Sequence, residues 1–101
     1  MSDITIAYQA ERLTALNADG RTMGYVTFPR IRKGLVNIDL VQILPAYRGL
    51  NLEETLLDAL FSHLLQQGTK AALTSPVVQR YVAANPQWKD ILPDSIHMTT
   101  H

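Results

Sequence analysis

Residues 44–54 read LPAYRGLNLEE, and this segment decides the fold because it joins a strand-like run to a long amphipathic helix pattern. The N–H groups at the start of a helix have no partner within it, and the helix dipole adds partial positive charge there. A strand, an arginine-glycine turn and a helix start in this order therefore favour a phosphate-binding loop. The same residues also fit a simple glycine turn before a capped helix, with Arg48 on the surface.

Leucines at helical spacing predict that this helix covers residues 52–67 and buries one side. Asn51 is expected to cap its start, and Glu54 completes a pair that resembles a capping box. Gly68 fits the left-handed position that follows a helix end. The leucines of the predicted apolar side are Leu52, Leu56, Leu57, Leu60, Leu64 and Leu65.

Alternation of apolar and polar residues predicts four strands before the helix and one after it. They cover residues 4–8, 12–16, 22–28, 35–43 and 70–74. Two adjacent apolar residues, Leu40 and Val41, interrupt the alternation and suggest a bulge. The charged residues 30–34 are typical of a hairpin tip, which is either solvated or available to an anionic partner.

Ser75 and Pro76 predict a second helix, with the serine as N-cap and the proline in the first turn. Its apolar side, which includes Tyr81, is expected to be buried, and Asn85 before Pro86 is expected to end it. A short helical turn around Trp88 follows. The resulting order β-β-β-β-α-β-α predicts an α+β fold in which helices pack on an antiparallel meander. The long helix is expected to link its flanking strands in a parallel crossover.

The composition of the 101 residues favours one globular domain over residues 1–101, with residues 93–101 as a tail that frays. Nine basic and nine acidic side chains balance, which argues against nucleic acid as the main partner. The absence of cysteine excludes disulfides, thiolate metal sites and a cysteine nucleophile. His97 and His101 make only a weak metal pair, so no metal site is predicted.

No apolar run approaches the ~20 residues that cross a bilayer, so no membrane partner is expected. The opening residues 1–3 are polar and lead into a strand pattern, unlike a signal peptide. These two features predict a cytoplasmic protein.

Two segments of the chain match a known family. Residues 44–52 match its Val-Pro-x-x-Arg-Gly-x-Gly loop at the proline, the arginine and the first glycine. Residues 73–86, LTSPVVQRYVAANP, match a Thr-Cys-x-Tyr/Phe…Tyr-x-x-x-Asn-Pro segment of its small members, apart from the cysteine. From about the second strand to Trp88, the chain therefore resembles the small single-domain YjdJ-type proteins of the GNAT superfamily of acetyl-coenzyme A-dependent N-acetyltransferases.

The resemblance implies a splayed sheet with acetyl-CoA as cosubstrate, lying between the strand that ends at Leu44 and the strand over residues 70–74. It implies that the acetyl group passes to an amine acceptor by direct attack. The acceptor would be a protein, a peptide or a polyamine, because a gap of hairpin length replaces the two helices that shape the acceptor site in ordinary members. The implied coenzyme-binding residues are Ile43, Leu44, Arg48, Gly49, Leu50, Asn51, Leu52 and Asn85.

Two side chains are candidates for the chemistry. In the family, a tyrosine often protonates the departing thiolate, and Tyr81 matches that position, although its spacing also suits the core. Ser75 stands where the small members have their cysteine and would be a polar group near the thioester, although it also suits an N-cap. Asn85 could contact the coenzyme or only end the second helix.

The chain departs from the family pattern at several positions. Asn51 replaces the second glycine of the loop, Glu53 replaces a glycine or alanine, and Val41 and Ile43 replace a histidine and a glutamate. A carboxylate ~4 Å from a phosphate charge costs ~4 kcal/mol at an effective dielectric constant of ~20. That cost would weaken coenzyme binding by roughly one to three orders of magnitude. An alternative function is therefore a catalytically degenerate protein that binds coenzyme A or a protein partner, or a structural subunit that forms a homodimer through an exposed strand.

Overall fold

The computed structural model describes residues 4–93, which form seven strands, two α-helices and two 3₁₀ helices. The strands are β1 Thr5–Tyr8, β2 Arg12–Leu16, β3 Thr22–Thr27, β4 Arg30–Arg32, β5 Leu35–Ile38, β6 Leu40–Ile43 and β7 Lys70–Leu73. The helices are α1 Leu52–Gln67 and α2 Pro76–Ala84, and the 3₁₀ helices are Pro45–Tyr47 and Pro86–Ile91. This is the predicted α+β class.

The strands form two sheets, one ordered β1-β2-β3-β6 and one ordered β4-β5-β7. The first sheet is antiparallel throughout. In the second, β5 pairs antiparallel with β4 and parallel with β7. The prediction of a single strand over residues 35–43 was wrong, because Asp39 divides it into β5 of one sheet and β6 of the other.

The predicted bulge at Leu40 and Val41 was also wrong. The pairing of β3 with β6 runs without a register shift from Gly24↔Ile43 to Thr27↔Leu40. The alternation breaks because the chain changes sheets at Asp39, whose backbone N–H donates to the Thr27 carbonyl at 3.3 Å. The charged residues after Pro29 are more ordered than a simple tip, since Arg30–Arg32 forms the exposed strand β4.

The two sheets separate beyond β5. The parallel partner of β7 is β5 rather than β6, so the crossover through α1 joins strands of different sheets. The hydrogen bond from the Thr74 N–H to the Ile38 carbonyl, 3.2 Å long, comes at the end of this pairing. Past that point β6 and β7 diverge, which confirms the splayed arrangement.

Helix α1 packs across both sheets, and its apolar side joins buried residues such as Leu13 and Val26 of the first sheet and Ile38 of the second. Five of the six predicted leucines are buried, but Leu65 is 57% exposed and Phe61 is fully buried instead. Phe61 lies four residues after Leu57 and three before Leu64, so it continues their stripe, while Leu65 lies beside it.

The two predicted N-caps were wrong in their chemistry. Asn51 precedes α1 in the left-handed conformation, with φ 57° and ψ 33°, and its side chain makes no capping hydrogen bond. Ser75 precedes α2 in an extended conformation, and its hydroxyl also makes no capping hydrogen bond. The predicted left-handed Gly68 is confirmed, with φ 69°.

The end of α2 before Asn85 and the helical turn around Trp88 are likewise as predicted. The predictions for residues 1–3, for residues 94–101 of the tail and for the pair His97 and His101 lie outside the described residues. Within residues 4–93, neither helix combines the length and the apolar character that crossing a bilayer requires.

Candidate active site

A cavity of about 590 Å³ opens at the edge of β6 where the two sheets diverge. Residues 41–43 of β6 line one end of it. The rest is lined by the loop residues Arg48 and Gly49 and by the first two residues of α1, Leu52 and Glu53. The cavity therefore lies where the sequence predicts a phosphate-binding loop.

The backbone of this loop is unusually rich in free donors. No backbone N–H from Gly49 to Glu54 donates to an acceptor within the described part of the chain. Leu52 is only 2% exposed, so water has little access to this residue. Gly49 has φ 89° and Asn51 has φ 57°. Because these positive φ values flank Leu50, successive backbone N–H groups of the loop point toward a common concavity. Such an arrangement suits an anion.

Two opposite charges border this concavity. Arg48 is exposed, and within residues 4–93 its guanidinium has no ion pair or hydrogen bond. Glu53 lines the same cavity, and its carboxylate is equally without a partner in that range. The cation and the amide donors fit a diphosphate, and Glu53 is the group in the cavity that opposes it.

The loop is anchored to the β2–β3 hairpin by an unpredicted contact. The side-chain amide of Asn17 donates to the Tyr47 hydroxyl at 3.2 Å. The Asn17 side-chain oxygen meanwhile accepts from the backbone N–H groups of Asp19 at 2.9 Å and Arg21 at 3.0 Å. Asn17 thus fixes the hairpin turn and the tyrosine that lines the cavity at the same time.

Gly24 is a second residue that the sequence analysis missed. A Cβ atom at this position would lie 2.8 Å from the Gln42 carbonyl oxygen and 2.7 Å from the Ile43 Cδ1 atom. The absence of a side chain therefore lets β3 approach β6 closely, directly behind the cavity.

Most of the predicted coenzyme residues line the cavity, but three do not. Ile43, Arg48, Gly49, Asn51 and Leu52 line it. Leu44 and Leu50 belong to the same segment, but their side chains are largely exposed outside it. Asn85 lines a neighbouring cavity of about 300 Å³ between α1 and α2, to which Glu53 also contributes.

Ser75 lies where the sheets part, directly after the Thr74 N–H that bonds to Ile38. It is the buried polar residue among residues 4–93, at 7% exposure. Its hydroxyl has no hydrogen-bond partner in that range. Within residues 4–93 no buried side-chain oxygen lacks a partner, so this free hydroxyl is reached by solvent although most of Ser75 is buried. Ser75 does not line the cavity at β6.

Comparison with known families decides the identity of this arrangement. The family model of the GCN5-related N-acetyl-transferases matches residues 13–91. The chain belongs to this family. The match spans the β2–β3 hairpin, the loop and both helices, so the strand split and the cavity lie within this N-acetyltransferase domain.

The fold of this GCN5-related protein is also that of a solved structure. The NMR structure of a GCN5-like protein from Staphylococcus aureus is similar to it with a TM-score of 0.69, covering 92% of this chain and 91% of that one. The sequence identity is 15%, so this likeness concerns the fold alone. No curated protein sequence matches the chain.

Tyr81 of this N-acetyltransferase domain is 8% exposed and stacks on Phe61, with ring centroids 5.7 Å apart. Its hydroxyl donates to Asp58 of α1 and accepts from the Trp88 indole N–H at 3.0 Å. The Asn85 side chain donates to the Tyr81 carbonyl at 2.8 Å. These contacts tie α2 and the last 3₁₀ helix to α1.

Asp58, whose carboxylate accepts the hydrogen bond from the Tyr81 hydroxyl, has a perturbed pKa. Partial burial raises the pKa of Asp58 above its ordinary value of 3.8, and the nearby charge of Glu54 raises it further. Asp58 and Trp88 were not predicted as part of the site, because no local pattern links residues that are 23 and 7 positions from Tyr81.

Proposed function

We propose that this protein is an acetyl-CoA-dependent N-acetyltransferase that transfers the acetyl group to an amine acceptor by direct attack. The observation that carries the proposal is the row of free backbone N–H groups from Gly49 to Glu54 beside the unpaired Arg48, at the mouth of the strand split. The acceptor is an amine of a protein, a peptide or a polyamine. Neither nucleic acid nor a membrane is part of the proposal, and the proposed location is the cytoplasm.

The residues of the split suit the parts of the coenzyme. Arg48 and the N–H groups of residues 49–52 would hold its pyrophosphate. The outer edge of β6 is unpaired among the described strands, so backbone groups near Ile43 and Leu44 would pair with its pantetheine amides. When bound, the coenzyme supplies an acetyl group activated as a thioester, and the chain supplies orientation and hydrogen bonds.

Ser75 and Tyr81 are the proposed catalytic residues. Neither lines the cavity at β6, and Tyr81 lines the smaller cavity between α1 and α2. The Ser75 hydroxyl has no partner within residues 4–93 and would be free to donate a hydrogen bond to the leaving sulfur. The Tyr81 hydroxyl already donates its hydrogen to Asp58, so it could act only after releasing that carboxylate. Asn85 is proposed as a coenzyme contact through the cavity between α1 and α2.

A thermal-shift titration with acetyl-CoA tests the proposal. Ligand at ~100 times its dissociation constant adds ~2.7 kcal/mol, which raises the Tm by roughly 10–20 °C for a domain of this size. The protein should also transfer the acetyl group to amines, which is measured by the release of the free thiol of coenzyme A. An unchanged Tm at millimolar acetyl-CoA would reject the proposal.

A second candidate is a binding module that has kept the fold without the reaction. The observation that favours it is Glu53, an unpaired carboxylate in the same cavity as Arg48. Such a protein would bind coenzyme A or a protein partner, and the outer edge of β1 would suit a homodimer. A shift in Tm without acetyl transfer to polyamines or to a lysine-rich peptide would favour this candidate.

Replacing Glu53 tests whether its carboxylate opposes the phosphates of the coenzyme. We expect Glu53→Ala to tighten coenzyme binding by at least tenfold, since ~1.4 kcal/mol of relieved repulsion is a factor of ten. Glu54→Ala, which removes the neighbouring charge outside the cavity, is the matched control. Isothermal calorimetry measures both. Unchanged or weaker binding in Glu53→Ala would show that this carboxylate does not oppose the phosphates.

A further inference from the structure

Asp39 occupies the point at which the two sheets separate. It is the residue between β5 of one sheet and β6 of the other. Its carboxylate accepts a 2.5 Å hydrogen bond from the Thr27 hydroxyl, and its N–H donates to the Thr27 carbonyl. Thr27 follows the buried Val26, so its side chain points to the opposite side of the sheet from α1. Asp39 is therefore held on that opposite side.

This side of the first sheet is open. Thr14, Tyr25 and Gln42 lie side by side on neighbouring strands, and each is exposed or half-buried. Arg12 is a cation on this face and lies directly opposite Thr27, but its guanidinium stacks over the Tyr25 ring, 4.0 Å from the centroid. No cation within residues 4–93 pairs with Asp39. A fixed carboxylate with no ion pair among the described residues thus faces solvent at the vertex of the split.

Asp39 does not itself line the cavity, but it lies along the chain from the end at which the reaction would occur. The cavity runs from the phosphate-binding loop to Val41, so a coenzyme with its diphosphate at the loop has its thioester toward Val41. Asp39 precedes Val41 by two residues, which is roughly 7 Å along an extended chain. A chain of three or four methylene groups between two nitrogens spans a similar distance.

We propose that the acceptor is an aliphatic diamine or polyamine, with one ammonium held by Asp39 while another nitrogen, uncharged, attacks at the Val41 end. This inference rests on the proposed N-acetyltransferase function. The attacking nitrogen forms a bond to the acetyl carbon, the carbon–sulfur bond breaks, and the sulfur leaves as a thiolate. The proton lost by the nitrogen passes to water.

The test compares diamines with two to six methylene groups against butylamine as acceptors. An exposed carboxylate–ammonium pair contributes at most ~1 kcal/mol, so the wild-type protein should favour the best diamine by about fivefold in KM. Asp39→Asn keeps the acceptor for the Thr27 hydroxyl but removes the charge, and should abolish this preference. Asp39→Glu reaches one methylene further, and should move the optimum to a diamine one methylene shorter. Asp19→Asn, on the exposed β2–β3 turn, is the control.

Two binding measurements keep this test separate from that of the proposed function. The first measurement is coenzyme affinity, which should be equal in the wild-type protein and in Asp39→Asn. The second is calorimetry with a diamine on protein saturated with coenzyme A, in which Asp39→Asn should bind the diamine more weakly than the wild type does. If both proteins transfer the acetyl group equally well to diamines, monoamines or lysine peptides, this inference is overturned, while the proposed N-acetyltransferase function stands. Absence of transfer to every amine by a protein that binds coenzyme would overturn both.

Discussion

The two ends of α1 differ in how their backbone groups are satisfied. At its C-terminal end, the Gly68 N–H donates to the Leu65 carbonyl at 3.1 Å, and the Thr69 N–H donates to the Leu64 carbonyl at 2.9 Å. At its N-terminal end, the N–H groups of residues 49–54 have no acceptor among the described residues, and Asn51 does not cap them. The chain closes one end of the helix and leaves the other open.

This difference separates stability from binding. A helix leaves four N–H groups at its start and four carbonyls at its end without partners inside the helix. The C-terminal carbonyls are satisfied by a local turn, which stabilises the fold. The N-terminal donors remain available to an anion. The protein therefore lacks the ~1 kcal/mol of stability that an N-cap side chain would contribute.

The largest expected effect comes from removing the charge at the open end. Arg48→Ala should weaken acetyl-CoA binding by roughly tenfold to a hundredfold, because a hydrogen bond to a charged group contributes ~1.5–3 kcal/mol. The Tm without ligand should not change, since Arg48 has no partner within residues 4–93. Calorimetry and thermal unfolding measure the two quantities. Arg32→Ala, on the exposed strand β4, is the control, and an equal loss of affinity there would contradict the assignment.

A smaller effect comes from the two glycines that flank α1. Gly49 and Gly68 both have positive φ, and a Cβ at either would meet no atom within 4 Å. Alanine at either position should therefore cost ~1–2 kcal/mol through the backbone alone, or roughly 4–16 °C in Tm. Only Gly49→Ala should also weaken coenzyme binding, because it reorients the free N–H groups. Equal coenzyme affinities in the two variants would remove the distinction between the helix ends.

The features that the sequence predicts well are those set by neighbouring residues. The bounds of α1 follow from leucine periodicity and from Gly68, and both depend on contacts within a few positions. The free donors at the start of α1 are predicted for the same reason, since they are consecutive backbone N–H groups of residues 49–54; that they bind phosphate stays a prediction. The bounds of α2 likewise follow from local signals, with Pro76 in its first turn and Asn85 before Pro86 at its end.

The features that escaped prediction join distant residues. Alternation marks residues 35–43 as extended but cannot tell which strand each half will pair with, so the change of sheet at Asp39 was not visible. The contact of Asn17 with Tyr47 spans 30 positions, and the close approach at Gly24 depends on Gln42 of another strand. The burial of Phe61 in place of Leu65 agrees with the spacing of the leucines, but its stacking on Tyr81 and Trp88 joins residues that no local pattern links.

The smallest expected effect lies between the two ends of α1, at Asp58. Its pKa in the folded protein is raised above 3.8, first by burial and then by Glu54, so the folded state binds this proton more tightly than the unfolded state does. Ionisation of Asp58 therefore lowers the free energy of unfolding as the pH rises from about 3.8, its pKa in the unfolded chain, through its raised pKa in the folded protein.

Asp58→Asn keeps an acceptor for the Tyr81 hydroxyl and removes the charge, so it should match the wild-type Tm below that range and slightly exceed it above. The difference is small because Asp58 is largely exposed. Thermal unfolding of both proteins between pH 3 and pH 8 measures it, with Asp19→Asn as the control for loss of a surface charge. A variant less stable than the wild type at neutral pH would show that the charged hydrogen bond to Tyr81 outweighs the burial of Asp58.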